Sequence, residues 1–161
     1  MNPSVIVRSA RPDDGEAMGR LGAMLVDEHH HFDPRRFIQP LPQLPKRYGE
    51  FLVSRIGQPE MVVLVAEDDG DVVGYCYAGM EGNDYMALRG PAGVIYDLVV
   101  DPADRREGIG SALMGAAFAA LRRLGAPRVL LFTAEKNHIA QAMFERSGFR
   151  RTMIEMTREL D

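Results

Sequence analysis

The sequence lacks several features that are typical of extracellular, zinc-stabilised or membrane proteins. Its single cysteine, Cys76, cannot form an internal disulfide framework or a cysteine-rich zinc site. No run approaches the roughly 20 consecutive apolar residues of a membrane-spanning helix. The N-terminal Met1-Asn2-Pro3-Ser4 is not followed by the long apolar stretch of a signal peptide. Together these absences predict a cytoplasmic protein that does not contact a membrane.

An excess of positive charge is also missing. The formal net charge is −4 and the sequence pI is near 5.6, so charge predicts no nucleic-acid partner. Hydrophobic residues make up 46% of the chain, which is enough for a sizeable core. Because the 161 residues contain no internal repeat, we predict one domain spanning residues 1–161.

Apolar periodicity and turn residues predict an alternation of strands and helices. Strands are predicted at residues 5–7, 61–66, 72–78, 94–100, 128–133 and 149–160. Helices are predicted from about residue 12 to about residue 28 and at residues 44–56, 112–124 and 137–147. Asp68-Asp69-Gly70-Asp71 predicts a hairpin turn between the second and third strands.

One glycine-containing loop separates the strand that ends at Val100 from the long helix that follows. Its residues are Arg105-Arg106-Glu107-Gly108-Ile109-Gly110-Ser111. The first N–H groups of a helix have no partner within it, and the helix dipole adds partial positive charge there. The glycines allow close approach of the backbone, and the two arginines can bond phosphate. The loop therefore predicts a site for a phosphate-bearing ligand, unless its glycines only shape a turn.

Two motifs extend this interpretation. Arg105-x-x-Gly108-x-Gly110 resembles the acyl-CoA loop of the GNAT superfamily of N-acyltransferases, which reads Q/R-x-x-G-x-G/A. Downstream, Asn137-x-x-Ala140-x-x-x-Phe144-x-x-x-Gly148-Phe149 resembles the family pattern N-x-x-A-x-x-x-Y-x-x-x-G-F. The motifs cover roughly residues 94–150, and the order of predicted elements extends the likeness over nearly the whole chain.

The resemblance implies an α/β (α+β) fold with a mixed, mostly antiparallel sheet of about six to seven strands. The sheet is expected to split into a V at its centre and to carry about four flanking helices. Acetyl-CoA would enter the split as co-substrate. Its pantetheine arm would pair with the backbone of Leu98, Val99 and Val100. Its pyrophosphate would lie on the N–H groups from Arg106 to Ser111, and Asn137 would contact the arm or simply cap its helix.

The implied reaction is direct transfer of an acetyl group to a primary amine of a small molecule or peptide. Backbone N–H groups of the central strand would polarise the thioester oxygen. A base must first deprotonate the ammonium, and Asp97 is the expected base, with Glu81 second. Cys76 is interpreted as a core residue because no covalent intermediate is needed.

The sequence departs from the family at Phe144, which stands where relatives carry a tyrosine that protonates the departing thiolate. Water, or one of Ser147, Tyr96 and Tyr77, would have to replace that tyrosine. The alternative is a non-catalytic acyl-CoA-binding or regulatory module. A third hypothesis is a structural or interaction protein in which the glycine loop is only a turn.

The remaining features concern the acceptor, metals and assembly. Residues 29–48 and 79–93 are expected to build the acceptor pocket. His29-His30-His31 does not complete a metal-ligand pattern, because consecutive residues do not share a helix face, so we predict no metal. The alternating C-terminal strand would offer an edge for pairing in a homodimer.

Overall fold

The computed structural model describes residues 5–160; Met1–Ser4, on which part of the signal-peptide expectation rested, and Asp161 lie outside the described residues. The strands are β1 (Ile6–Ser9), β2 (Met61–Asp68), β3 (Asp71–Glu81), β4 (Ala92–Val100) and β5 (Val129–Leu131). The helices are α1 (Gly15–Phe32), α2 (Leu44–Arg55), α3 (Ile109–Arg123) and α4 (His138–Arg146). The four helices and the first five strands occur in the predicted order.

The five strands form one mixed sheet in the order β1-β2-β3-β4-β5. The first three pairings are antiparallel, and β4 pairs with β5 in parallel. The predicted hairpin turn is present between β2 and β3. Asp69 and Gly70 both have positive φ, 48° and 94°, as the two central residues of a tight two-residue hairpin require. The α+β class and the mostly antiparallel sheet are therefore confirmed.

The predicted count of six to seven strands is wrong, because the described residues form five. Residues 149–160, predicted as the last strand, take no regular structure, and Ile154 and Met156 are 86% and 91% exposed. The neighbouring strand β5 is only three residues long, so it offers little edge on which another strand could pair. Ion pairs instead join the segment to the α1–α2 linker, from Arg36 to Glu155 and from Arg35 to Glu159.

Helices cover both faces of the sheet. On one face α3 and α4 bury a cluster that includes Cys76, Ile95, Leu113 and Phe144. On the other face the buried cluster joins sheet residues such as Tyr75 to side chains of α1 and α2. Burial on both faces explains the continuous apolar run of β2. Within residues 5–160, no helix is both long and apolar enough to cross a membrane.

Glycines let α1 and α2 cross at very short range. A Cβ added at Gly19 of α1 would lie 2.1 Å from the carbonyl oxygen of Pro45, and one at Gly49 of α2 would lie 2.3 Å from that of Gly15. Both clashes are with backbone, which cannot rotate away as a side chain can. The crossing therefore depends on the absence of side chains at these positions.

We expect Gly19→Ala to lower the free energy of unfolding by at least about 2 kcal/mol, because the two helices must separate to admit the methyl group. Urea denaturation measures the effect. The matched control is Gly115→Ala on α3, where an added Cβ meets nothing within 4 Å; it should be neutral or stabilise by about 0.5–1 kcal/mol. Equal stability of the two variants would contradict this account of the crossing.

Candidate functional site: an open strand edge beside a helix N-terminus

The site begins where β4 and β5 stop pairing. Their parallel ladder covers only Gly93 to Ile95 of β4, which lie opposite Val129 to Leu131. From Tyr96 onward β4 remains paired with β3 but has no strand on its other side among the described residues. The N–H of Asp101 donates to Val73 of β3, so by alternation the backbone groups of Leu98 and Val100 face the open side. Those of Val99 face β3.

The glycine loop lies at the end of this open edge. Arg106 and Gly108 have positive φ, 73° and 83°, and Gly108 immediately precedes α3. The first helical bond runs from the N–H of Ala112 to the carbonyl of Gly108. The N–H groups of Ile109, Gly110 and Ser111 therefore have no acceptor within the helix. The predicted anion-binding geometry is thus available at the N-terminus of α3.

Gly110 is the point where three elements meet. A Cβ placed there would lie 3.5 Å from Sδ of Met143 on α4 and 3.8 Å from Cγ2 of Val100 at the end of β4. Both distances are ordinary contacts, so a methyl group would fit. A larger side chain would extend into the space between the strand edge and α4.

The two loop arginines are placed differently. The Nε of Arg105 donates to the carbonyl oxygen of Val100 at 3.2 Å, and its Nη1 contacts Glu28 of α1 at 3.3 Å. All three residues Arg105, Arg106 and Glu107 are exposed, and Arg105 lies across the end of the open edge through these two contacts. The Val100 carbonyl oxygen has a second lone pair, to which a ligand N–H could donate while Arg105 stays in place.

Asn137 caps α4, as the simpler of its two predicted roles requires. Its side-chain oxygen accepts from the N–H of Ala140 at 3.1 Å. The side-chain amide nitrogen is not used in this cap, because the cap engages only the oxygen. Asn137 can therefore donate to a ligand while it caps the helix, so both predicted roles stay compatible.

A β-bulge in β4 places the expected base. Tyr77 of β3 lies opposite Asp97, and Ala78 lies opposite Ile95, so Tyr96 is an extra residue in β4. The Tyr96 ring packs on the Tyr77 ring with centroids 4.8 Å apart. Tyr96 and Asp97 therefore both face the α1–α2 side of the sheet, away from the cluster under α3.

Asp97 is buried, with 8% of its surface exposed, and two phenols bond it. The hydroxyl of Tyr48 on α2 donates to Oδ2 at 2.7 Å, and that of Tyr75 on β3 donates to the same oxygen at 3.0 Å. Burial raises the pKa of Asp97 above its usual value, and the two hydrogen bonds oppose that rise. The carboxylate is thus a stronger proton acceptor than an exposed aspartate.

Glu81, the second candidate base, is engaged on both oxygens. Its Oε1 accepts from the hydroxyl of Tyr96 at 2.8 Å, and its Oε2 is paired with Arg89. Arg89 also lies 3.7 Å from Asp84 in the β3–β4 loop. Both Glu81 oxygens already hold hydrogen-bond partners, so an acceptor ammonium would have to displace one of them, and this geometry favours Asp97.

The position of the missing family tyrosine lies in the core under α3. Phe144 is 9% exposed and packs edge-on against Phe149, with centroids 5.9 Å apart. Of the three suggested replacements, Ser147 donates to the carbonyl of Met143 and lines a separate cavity of about 290 Å³. Tyr77 points its hydroxyl at the sulfur of Met61, and Tyr96 points its hydroxyl at Glu81.

The three consecutive histidines each bond a different backbone carbonyl through Nδ1. The acceptors are Leu25 for His29, Phe37 for His30 and Asp27 for His31. No group of three or more metal-ligating side chains occurs within residues 5–160. Cys76 is fully buried, and burial raises the pKa of its thiol, as expected for a core residue.

A family model described as Acetyltransferase (GNAT) family matches residues 25–149. The chain belongs to the GNAT family. The resemblance drawn from the two sequence motifs is thereby confirmed. The matched region contains the open edge of β4, the glycine loop and Asn137.

Curated relatives and solved structures agree with this assignment. The chain is 36% identical over 147 residues to the mycothiol acetyltransferase of Thermobispora bispora and 32% identical over 158 residues to that of Sanguibacter keddieii. These matches cover 89% and 96% of the chain but only 45% and 46% of the relatives, so the chain spans just under half of their length.

Two solved structures carry the same fold. A mutant of the BH1408 protein from Bacillus halodurans superposes with a TM-score of 0.81 at 23% identity, covering 96% of this chain and 99% of that one. The aminoglycoside N-acetyltransferase AAC(6')-Iy, solved in complex with CoA, superposes with a TM-score of 0.75 at 17% identity over 97% and 94% of the two chains.

Sequence reasoning missed Tyr48 and Tyr75 as partners of Asp97. The sequence predicts only that Tyr48 lies on a helix (residues 44–56) and Tyr75 on a strand (residues 72–78). Neither carries a local signal, because their hydroxyls meet Asp97 only once α2 packs on the sheet. A tyrosine at a position expected to be fully buried was the available clue, since a buried phenol normally requires a hydrogen-bond partner.

Proposed function

We propose that this chain transfers an acetyl group from acetyl-CoA directly to a primary amine of a small molecule or peptide. The observation that carries the proposal is the unpaired edge of β4, which ends beside the N-terminus of α3. An edge of free backbone donors and acceptors suits the amides of a pantetheine arm. Free N–H groups at a helix start suit a pyrophosphate.

In this proposal the backbone of Leu98 and Val100 pairs with the pantetheine amides, and the N–H groups from Arg106 to Ser111 hold the pyrophosphate. Val99 contributes by keeping β4 paired with β3. The amide nitrogen of Asn137 donates to the arm. No metal is required for any of these contacts.

The acceptor amine enters from the α1–α2 side, where Asp97 takes the proton that an ammonium must lose before it can attack. The neutral amine forms a C–N bond with the thioester carbon, and CoA leaves as a thiolate. A thiol pKa of about 8.5 makes the thiolate an acceptable leaving group, so the loss of the usual tyrosine at Phe144 slows the reaction without preventing it.

The test is acetyl-CoA binding by calorimetry, followed by thiol release from acetyl-CoA across a panel of primary amines. Following the names of the relatives, mycothiol-related amines and aminoglycosides join simple alkylamines and peptides in that panel. Binding together with turnover of any amine supports the proposal. Absence of acetyl-CoA binding would falsify it and return the glycine loop to a purely structural role.

A second candidate, a non-catalytic acyl-CoA-binding or regulatory module, is favoured by Phe144. The side chain at this position has no hydroxyl, and Ser147, Tyr96 and Tyr77 direct theirs to other partners. Acetyl-CoA binding without thiol release from any amine would favour this module over the enzyme.

We also propose a cytoplasmic location and a homodimer. The homodimer cannot form through the expected edge strand, because residues 149–160 do not form a strand. Exposed Met153, Ile154 and Met156 still offer an apolar surface on that segment. Gel filtration at several protein concentrations would show whether copies associate.

A further inference from the structure

The carboxylate of Asp97 is largely enclosed, so a more exposed group bonded to it is better placed to meet an acceptor. Asp97 has 8% of its surface exposed, and both phenols bond the same oxygen, Oδ2. Tyr75 has no exposed surface, so it cannot connect Asp97 to an incoming molecule. Tyr48 is partly exposed and makes the shorter bond, at 2.7 Å. It is therefore the one of the two phenols that reaches from the carboxylate to the acceptor side.

The Tyr48 ring is held in place by its neighbours. A Cβ at Gly22 of α1 would lie 2.3 Å from Cδ1 of Tyr48, so the ring lies directly on this glycine. The ring also meets Phe51 edge-on, with centroids 6.2 Å apart. A phenol confined in this way keeps its hydroxyl on Asp97 without losing further conformational freedom when an acceptor binds.

We propose that Tyr48 is a catalytic residue that carries the proton of the acceptor ammonium to Asp97. This inference rests on the proposed acetyltransferase function. The ammonium donates an N–H to the free lone pair of the Tyr48 oxygen, and the phenol proton passes to Oδ2 of Asp97. The phenol is regenerated, the carboxylate becomes a carboxylic acid and the amine becomes neutral.

The remaining steps balance without another reagent. The neutral amine attacks the thioester carbon, the C–S bond breaks, and the second amine proton goes to the CoA thiolate. Asp97 later returns its proton to solvent through Tyr48. The relay matches the raised pKa of Asp97, because the proton moves toward a carboxylate that holds it more firmly than an exposed one.

Tyr48→Phe tests the relay, since it keeps the ring on Gly22 and removes only the hydroxyl. With an alkylamine from the panel that the wild type acetylates, we expect kcat to fall about 100-fold and KM to change less than about threefold. The matched control is Tyr75→Phe, which removes the other phenol from the same oxygen. It should lower kcat by less than about fivefold.

An acceptor that is already neutral shows whether Tyr48 transfers a proton or only positions the acceptor. With an acyl hydrazide as acceptor, no proton has to be removed before attack, so Tyr48→Phe should retain kcat within about threefold of the wild type. An equal loss with alkylamine and hydrazide, or equal losses in Tyr48→Phe and Tyr75→Phe, would overturn the relay.

Gly22→Ala tests the same relay if Tyr48→Phe folds poorly. Gly22→Ala keeps the hydroxyl but forces the ring away from its position, so it should reproduce the loss of kcat with alkylamines. Wild-type kcat in Gly22→Ala would overturn the relay. If the wild type acetylates no amine at all, the proposed function falls and the relay falls with it, which the wild-type assay alone reveals.

Discussion

Gly110→Trp should bind acetyl-CoA at least about 100-fold more weakly than the wild type, a loss of roughly 2.7 kcal/mol. The reason is geometric, because Gly110 lies where the start of α3, the end of β4 and α4 converge. An indole at this position fills the space between the open strand edge and α4, beside the N-terminus of α3. Isothermal calorimetry with acetyl-CoA measures the effect.

Gly115→Trp is the matched control for this prediction. It places the same side chain on the same helix, at an exposed position where an added Cβ meets nothing within 4 Å. We expect its acetyl-CoA affinity to equal that of the wild type. Gly110→Ala adds a second control, since its methyl group would make only ordinary contacts. Wild-type affinity in Gly110→Trp would mean that the ligand binds elsewhere.

Asp97→Asn should lower kcat by about 10²–10⁴-fold, because an amide cannot take the proton of the acceptor ammonium. The change preserves the shape of the side chain, and the amide oxygen can still accept from Tyr48 and Tyr75. Steady-state thiol release measures the effect. Glu81→Gln tests the rival base, and we expect it to retain kcat within about tenfold. A larger loss in Glu81→Gln than in Asp97→Asn would transfer the role to Glu81.

Asp97→Asn should not lower the free energy of unfolding. Burial raises the pKa of Asp97 in the folded state, so at neutral pH the charged carboxylate costs stability relative to the unfolded chain. We therefore expect the free energy of unfolding of Asp97→Asn at pH 7 to equal or exceed that of the wild type. Any gain should shrink as the pH falls toward the ordinary carboxyl pKa of about 4.

The local backbone geometry of the proposed cofactor side was predictable because its signals are local. Gly108, Gly110 and Asn137 lie at helix starts, where a few consecutive residues decide the backbone conformation. The acceptor side was not predictable to the same degree. Tyr48 reaches Asp97 from α2, which the glycines at positions 19, 22 and 49 allow to lie close to α1. Such a contact depends on tertiary packing that no single segment encodes.

In the C-terminal segment, residues 149–160, a local sequence pattern predicts a strand that the fold does not form. The partial alternation of Met153, Ile154 and Met156 with polar residues is typical of a strand, yet residues 149–160 form no regular structure. A strand requires a neighbour, and β5 offers only Val129 to Leu131. Periodicity describes what a segment can form, whereas the available edge decides whether it does so.

The extra residue at Tyr96 decides which face of the sheet each side chain of the second half of β4 points to. Ile95 and Asp97 are two residues apart, yet they face opposite sides of the sheet, which a regular strand does not permit. Deleting Tyr96 would restore regular alternation, so Asp97 would face the apolar cluster beneath α3. The β4 side chains that now pack in that cluster would then face the opposite side of the sheet. A transplant of this site into another scaffold must therefore carry Ile95 to Asp97, together with Tyr77, as one unit.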